Sequence, residues 1–316
     1  MFDFSELHIL VVGDCMLDQY IHGDVHRISP EAPVPVLQEV ERETKLGGAV
    51  NVAANLVALG ANVSIVGISG DDPQRQLMLS LLEISGINHR ITIDPTRSTT
   101  IKTRLLAQNQ QLMRVDKEAT HPISTSINDE ILESINDLLT SKKVDYVILQ
   151  DYNKGVLHND SIPRIIELVK SHNIKIGVDP KFQHLHCYQG VDFIKPNLRE
   201  AVNILNIEEE EFLANLEVSA KAIVNTLNVK SVWVTLGDKG ICCYNEQGNF
   251  THSPTHASKI VDVCGAGDAV ISILAMLDHQ GSSIEQMANM ANIVGGIVCS
   301  KPGVATVSIN EINTTN

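Results

Sequence analysis

The stretch of this 316-residue chain most suited to chemistry is DVCGAGD, Asp262 to Asp268, with an apolar run behind it. Small residues at a helix start leave its first N–H groups unobstructed. Those groups and the helix dipole form an anion site. Gly265, Ala266 and Gly267 would supply the amides. Asp268, beside a bound phosphate, could take a proton from an attacking hydroxyl. The same residues also read as a glycine turn with Asp as the capping residue. A second segment holds Gly47, Gly48, Asn51 and Ala53, then Gly60 and Gly70. Paired glycines let a backbone approach a ligand closely. Asn51, on the first turn of the following helix, would point back at that ligand. A tight turn entering a helix is the plainer alternative.

Other candidates are weaker. His184 and His186 could suggest a metal, but lack further ligands at recognisable spacing, and a surface loop suffices. Glu208 to Glu211 suits a helix start and a solvated face. Trp233 stands in an apolar strand and reads as core.

The elements that must carry these residues follow a regular rhythm. HILVVG, closed by Gly13 and Asp14, reads as a buried parallel strand. Strands are expected at 63–68, 99–107, 112–115, 144–149, 174–178, 191–194 and 231–236. A polar turn around Asn109 would join the runs at 99–107 and 112–115. Helices are expected at 49–59, 74–84, 126–139, 161–171, 199–205, 210–227, 266–279 and 284–299. Such alternation predicts crossover units and a mostly parallel sheet covered on both faces. Three prolines in SPEAPVPVLQEVE mark an edge strand or a small separate sheet. The β-rich pieces at about 15–45 and 90–118 therefore read as a small lid inserted into one α/β domain spanning 1–316.

Composition narrows the function. Hydrophobic residues are 43% and charged residues 20%, which suits a globular core and excludes disorder. A net charge of −14 with no basic run makes nucleic acid and anionic membranes poor partners. The six cysteines form no Cys-x-x-Cys pair and read as reduced thiols. Adjacent Cys242 and Cys243 would face opposite sides of a strand. The N-terminus MFDFSELHILVVGD has acids where a signal peptide needs positive charge, so a cytoplasmic protein is expected.

Together the two glycine segments resemble both signatures of the ribokinase-like (PfkB) carbohydrate kinases. The resemblance runs from Ile9 to about Val307. It implies a three-layer α/β/α fold with a mostly parallel sheet and a β lid. Asp268 maps onto the family's catalytic base, and the amides of Gly265, Ala266 and Gly267 onto its anion hole. Asn197-Leu198-Arg199-Glu200 matches the Asn-x-x-Glu motif that shapes the nucleotide-phosphate and Mg²⁺ site, with Glu200 acting through water. These residues follow strand 191–194, at the edge where open α/β sheets bind ligands. They equally read as a helix cap with a capping-box Glu. Thr235, Gly237 and Gly240 resemble the nucleotide-binding loop, or simply a strand exit. Asn292 would lie near the adenine, and Lys181 could serve the nucleotide phosphates.

The segments Gly13 to Tyr20, Arg27 to Val36, Asn109 to Arg114, Asp151 to Gly155 and Asp179 to Lys181 narrow the resemblance, together with Thr103-Arg104. They are similar to the bacterial subfamily that phosphorylates D-glycero-β-D-manno-heptose 7-phosphate at C1. That activity implies ATP, Mg²⁺ and a monovalent cation as cofactors, and serves ADP-heptose and lipopolysaccharide core synthesis. Asp14 and Asp18 would bind sugar hydroxyls, with Gly47, Gly48 and Asn51 beside them. Arg104 and Lys154 would take the sugar phosphate, with Arg27, Lys102, Arg114 and Lys181 behind them. The subfamily often precedes a nucleotidyltransferase half. No His-x-x-His loop of that kind is present here, so a stand-alone kinase or the kinase half of a longer chain is expected.

Two positions depart from the family pattern: Cys264 and Ala269 stand where Thr is usual. Three other readings remain. One is a related kinase for another sugar or sugar phosphate, and one is a non-catalytic sugar sensor. The third, a dinucleotide oxidoreductase, lacks a Gly-x-Gly-x-x-Gly after the first strand. Edge strands in the lid lead us to expect a homodimer.

Overall fold

After His8, every residue of HILVVG is buried in the computed structural model, as a strand inside a covered sheet requires. The structure describes residues 3–108, 110–141, 143–255 and 260–315. The first half of the chain holds β1 (His8–Gly13), β2 (Cys15–Ile28), β3 (Pro35–Gly48), α1 (Ala49–Ala58), β4 (Asn62–Ser69), α2 (Pro73–Ile84), β5 (Asn88–Ile93), β6 (Thr100–Ala107), β7 (Gln110–Lys117), α3 (Thr125–Ser141) and β8 (Tyr146–Gln150). The second half holds α4 (Ser161–Ser171), β9 (Lys175–Asp179), β10 (Phe193–Ile194), α5 (Leu198–Leu205), α6 (Glu209–Ala214), α7 (Leu216–Leu227), β11 (Ser231–Thr235), β12 (Ile241–Asn245), β13 (Phe250–Ser253), α8 (Ala266–His279), α9 (Ile284–Cys299) and α10 (Ile309–Thr315).

Nine strands form one sheet in the order β13-β12-β11-β10-β9-β8-β1-β4-β5. All neighbours from β5 to β11 pair parallel, and only the β11-β12-β13 hairpins run antiparallel. Alternation along β1 assigns the two faces. Ile9 and Val11 pack with Leu56, Met78, Ile271 and Val294, under α1, α2, α8 and α9. Leu10 and Val12 pack with Ile131, Ile165 and Ile223, under α3, α4 and α7. The result is the three-layer α/β/α arrangement. Cys242 and Cys243 divide between the two cores, as adjacent strand residues must.

The lid is a separate four-stranded sheet, ordered β3-β2-β6-β7. β2 runs antiparallel to β3 and parallel to β6. Pro35 opens β3, where a missing N–H costs little. One lid row places Lys45, Asp18, Lys102 and Asp116 side by side, and the next aligns Tyr20, Arg104 and Arg114. The opposite face carries Ile21, Leu105 and Met113 in register.

Four expectations need correction. The second lid piece begins at Thr100, because residues 88–93 are β5 and pair with β4 in the large sheet. The single helix expected over 210–227 is broken at Asn215, whose φ of −140° and ψ of 55° are not helical. Strand β12 carries Cys242 and Cys243, but β13, which pairs with it, was not expected. Helix α10 was also unforeseen, being only seven residues long. Asn109, expected in a turn, lies outside the described residues.

Candidate active site

Asp268 sits on the first turn of α8 and is 4% exposed. Its Oδ2 accepts from Asn51 Nδ2 at 2.7 Å. Its Oδ1 accepts from the Tyr152 hydroxyl at 2.8 Å and from Gln150 Nε2 at 3.2 Å. Burial pushes its carboxyl up to about 7, and the charge of Asp179 adds to that. The bonds from Asn51 and Tyr152 and the charge of Lys195 oppose the rise. A base poised near neutrality both accepts and returns a proton readily.

The helix start carries the second requirement, a charge sink. Gly265 caps α8 at φ 79°, a conformation that favours glycine, and a Cβ there would come within 3.0 Å of Asn51 Nδ2. Among the described residues, the N–H groups of Gly265, Gly267 and Asp268 have no partner. The Ala266 N–H instead turns back to the Val263 carbonyl at 3.3 Å, so that amide is not free as expected. Lys195, almost fully buried, pairs with Asp179 Oδ2 at 3.1 Å. A Cβ on Gly267 would lie 3.4 Å from its ammonium, so a cation flanks the open amides. Asp262 braces this loop by accepting from Cys264 N and Gly303 N, each at 3.0 Å. Burial pushes the Cys264 thiol up to about 11, which keeps it protonated at neutral pH. Ala269 is fully buried in the core beneath α8.

The expected sugar side is more altered. Asp14, expected at sugar hydroxyls, is 1% exposed and already accepts three backbone amides. These come from Tyr152 (2.8 Å), Lys154 (3.0 Å) and Val156 (3.2 Å). It therefore clamps the loop after β8. Arg97 grips the same loop from outside, donating to the Lys154 carbonyl at 2.6 Å while paired with Asp94. Asp18 forms a buried ion pair with Arg104, whose guanidinium lies 5.3 Å from the Tyr20 ring. Both partners are thus committed within the lid. The close approach that Gly47 permits is to its own chain, since a Cβ there would collide with the Asp18 carboxylate. Gly48 turns into α1 at φ 60° against the Asp14 carbonyl. Asn51 lies on α1 and faces Asp268 rather than open solvent.

Lys154 pairs with Glu118 at 2.9 Å. Arg114 pairs with Asp116. Half-buried Lys102 has no carboxylate within salt-bridge distance among the described residues. Burial, then the charges of Lys154 and Arg114, push its amine down. Arg27 is exposed at the far end of β2.

On the expected nucleotide side, Asn197 and Glu200 form a complete capping box on α5. Glu200 Oε2 accepts the Asn197 amide and Oε1 takes Lys181 Nζ, both at 2.9 Å. Lys181 Nζ also lies 5.5 Å from the Tyr152 ring. Leu198 packs on the core and Arg199 is exposed. Thr235 bridges to Asn197 at the strand exit. Gly237 and Gly240 frame a short turn at φ 65° and 92°. Asn292 Nδ2 ties down the end of β13 through the Ser253 carbonyl at 2.7 Å. No group of three or more His, Cys, Asp or Glu side chains could hold a metal among the described residues. His184 and His186 lie in a short 3-10 helix, Phe182–Cys187, rather than a loop, and His184 bonds to Asn159 and Asn153.

Gln150, Tyr152 and Lys195 converge on this site, and residue spacing had not singled them out. Gln150 and Tyr152 reach Asp268 from 118 and 116 residues away in sequence. Position at the carboxyl ends of β8 and β10 was the available signal.

Comparison with known proteins identifies the family. The model of the pfkB family of carbohydrate kinases matches residues 6–311. The bifunctional protein HldE of Helicobacter pylori strain 26695 is 40% identical over 306 residues, covering 96% of this chain and 65% of its own. HldE of Sulfurimonas denitrificans is 39% identical over 305 residues, covering 96% and 63%. The chain thus spans about two thirds of these relatives' length. Phosphofructokinase-2 of Escherichia coli, crystallised with substrates and products, shares the fold at a TM-score of 0.79 and 18% identity, covering 98% of this chain and 97% of its own. A Staphylococcus aureus structure titled as a phosphofructokinase superposes at 0.77 with 19% identity, covering 98% and 96%. The chain belongs to the pfkB family of carbohydrate kinases, and is a phosphotransferase acting on a sugar.

Proposed function

Starting from that membership, we propose that the chain transfers the γ-phosphoryl group of ATP to the C1 hydroxyl of D-glycero-β-D-manno-heptose 7-phosphate. The product is the 1,7-bisphosphate, a precursor suited to ADP-heptose and lipopolysaccharide core synthesis. The observation that carries a phosphorylated acceptor is Lys102. A half-buried cation with no carboxylate within salt-bridge distance among the described residues, beside Lys154 and Arg114 and farther from Asp116 and Glu118, invites an anionic ligand. It also stands over the Tyr152 ring, 6.0 Å from its centroid, and the Tyr152 hydroxyl meets Asp268. One phenol thus adjoins both the cation and the base, as a site for an anionic sugar would need. The heptose itself rests on the segments that resemble the heptose-phosphate subfamily and on similarity to HldE.

Asp268 takes the proton from the acceptor hydroxyl. Charge on the transferring phosphoryl group is met by the amides of Gly265, Gly267 and Asp268, with Lys195 beside them. Lys181 and the turn at Gly237 and Gly240 face the nucleotide. Both oxygens of Glu200 are already engaged, which suits Mg²⁺ arriving on ATP and reaching Glu200 through water. Mg²⁺ supplies charge neutralisation on the phosphates. The lid keeps water from competing with the sugar. A cytoplasmic homodimer is part of the proposal. Met113 and Val115 on the lid are 58% and 51% exposed, an apolar strip that a second copy would cover.

ADP release tests the reading, using Mg²⁺, ATP and heptose 7-phosphate, sedoheptulose 7-phosphate, fructose 6-phosphate, fructose or ribose. Turnover confined to heptose 7-phosphate supports it. Turnover with another sugar retains the kinase and removes the heptose. No turnover by folded protein favours a sugar sensor.

A further inference from the structure

The Asp268 carboxylate offers about four lone-pair sites. Three are taken: two on Oδ1, by Tyr152 and Gln150, and one on Oδ2, by Asn51. Among the described residues Oδ1 carries two donors and Oδ2 one, so Oδ2 is the oxygen with room for a further proton. Of the three donors, Tyr152 is placed with the most care. Its amide is held by Asp14 Oδ2. Its ring is approached by Lys102, from lid strand β6, at 6.0 Å and by Lys181, from the loop after β9, at 5.5 Å. Burial, with the charges of Asp268 and Asp179, pushes the phenol well above its ordinary range, so it stays a neutral donor.

We propose that Tyr152 is the positioning residue of the catalytic base: its hydroxyl fixes Asp268 through Oδ1 and directs the acceptor's proton to Oδ2. The inference rests on the kinase reading for the identity of the base. A hydrogen bond donated to the ionised carboxylate favours that form. Losing it moves the titration of Asp268 to higher pH. The charged groups around Asp268 are Asp179 from β9 and Lys195 beyond β10. Asp18 lies farther out, around Tyr152, as do Lys102 and Lys181. None of these changes in Tyr152→Phe, which keeps the ring that the two lysines approach.

The test is Tyr152→Phe in the full chain, with two readouts. Carbon-13 NMR of the Asp268 carboxyl, without substrate, should show its titration midpoint about one pH unit above wild type. The acid limb of kcat/KM should move up by the same amount, while the KM for sugar changes less than twofold. A midpoint at the wild-type value overturns the proposal, whatever the activity. Loss of kcat with the acid limb in place also overturns it, because that is the mark of a merely structural role. A shifted midpoint in a chain that phosphorylates no sugar supports the positioning and refutes the kinase reading instead.

Discussion

Strand β1 is buried from Ile9 to Gly13, whereas β7, at the rim of the lid, has no buried residue along its whole length. The two sheets hold the two halves of the site under opposite conditions. The nine-stranded sheet delivers Gln150 and Asp179 from strand ends packed in hydrocarbon on both faces, and Lys195 from just beyond β10. Groups held there are desolvated, so their proton affinities move: Asp14, Asp151 and Asp268 are all pushed up by burial. The lid instead pairs charges with one another, Asp18 with Arg104 across β2 and β6, and Arg114 with Asp116 along β7. Its apolar side is left partly open. Chemistry that needs an unusual pKa belongs in the first environment. Recognition of an anion by a spare cation suits the second.

The largest expected effect tests the buried half. Asp268→Asn should lower kcat by about 10³-fold with little change in thermal stability. Steady-state ADP release with calorimetry reads both, and a variant retaining a tenth of the activity would remove Asp268 as base. The matching change in the lid is Lys102→Gln. Its KM for a sugar phosphate should rise about 30-fold, from the loss of a charge-assisted bond, with kcat changed far less. Equal effects on kcat and KM would erase the contrast between the halves. A third change addresses the lid's open face. Met113→Ser with Val115→Ser should raise the dimer dissociation constant about tenfold by sedimentation, while the melting temperature moves only slightly. The smallest effect is one of pH, and it belongs to the buried half. Asp151 and Asp268 sit near 7 when folded and near 3.8 when unfolded. Between those values the folded chain binds the extra protons, so its stability falls as pH rises. The melting temperature of the ligand-free protein should drop by roughly 5 °C from pH 5.5 to 7.5. A rise over that window would contradict these burials.

How much the residues foretold divides along the same line. The ends of α8 and α9 are as their apolar runs and the glycines before Ala266 imply. The buried strands announce themselves through unbroken β-branched runs. The lid piece at about 15–45 was legible as β-rich, but β2 could not be bounded within it, because CMLDQYIHGDVHRI mixes charge and apolar residues without a clear period. Asn197 and Glu200 look the same in sequence whether they cap a helix or serve a nucleotide, and here they form the cap. Arg104 read as a free cation because nothing in spacing reveals an acid 86 residues away. Asp268 and Asn51 were legible through the glycines around them. Gln150 and Lys195 were not, since each acts by standing at a strand end.

The clamp of Asp14 on the loop after β8 has a consequence for the order of assembly. Asp14 and Tyr152 are 138 residues apart, and nothing local holds them together. Their bond forms only once β1 has found β8 in register, a pairing whose chain-closure cost is among the higher ones in the molecule. The loop bearing Tyr152 and Lys154 is therefore set after the centre of the sheet has condensed. Until β1 has paired with β8, the loop bearing Tyr152 lacks its Asp14 anchor, so alignment of the base depends on one of the longest-range pairings in the sheet.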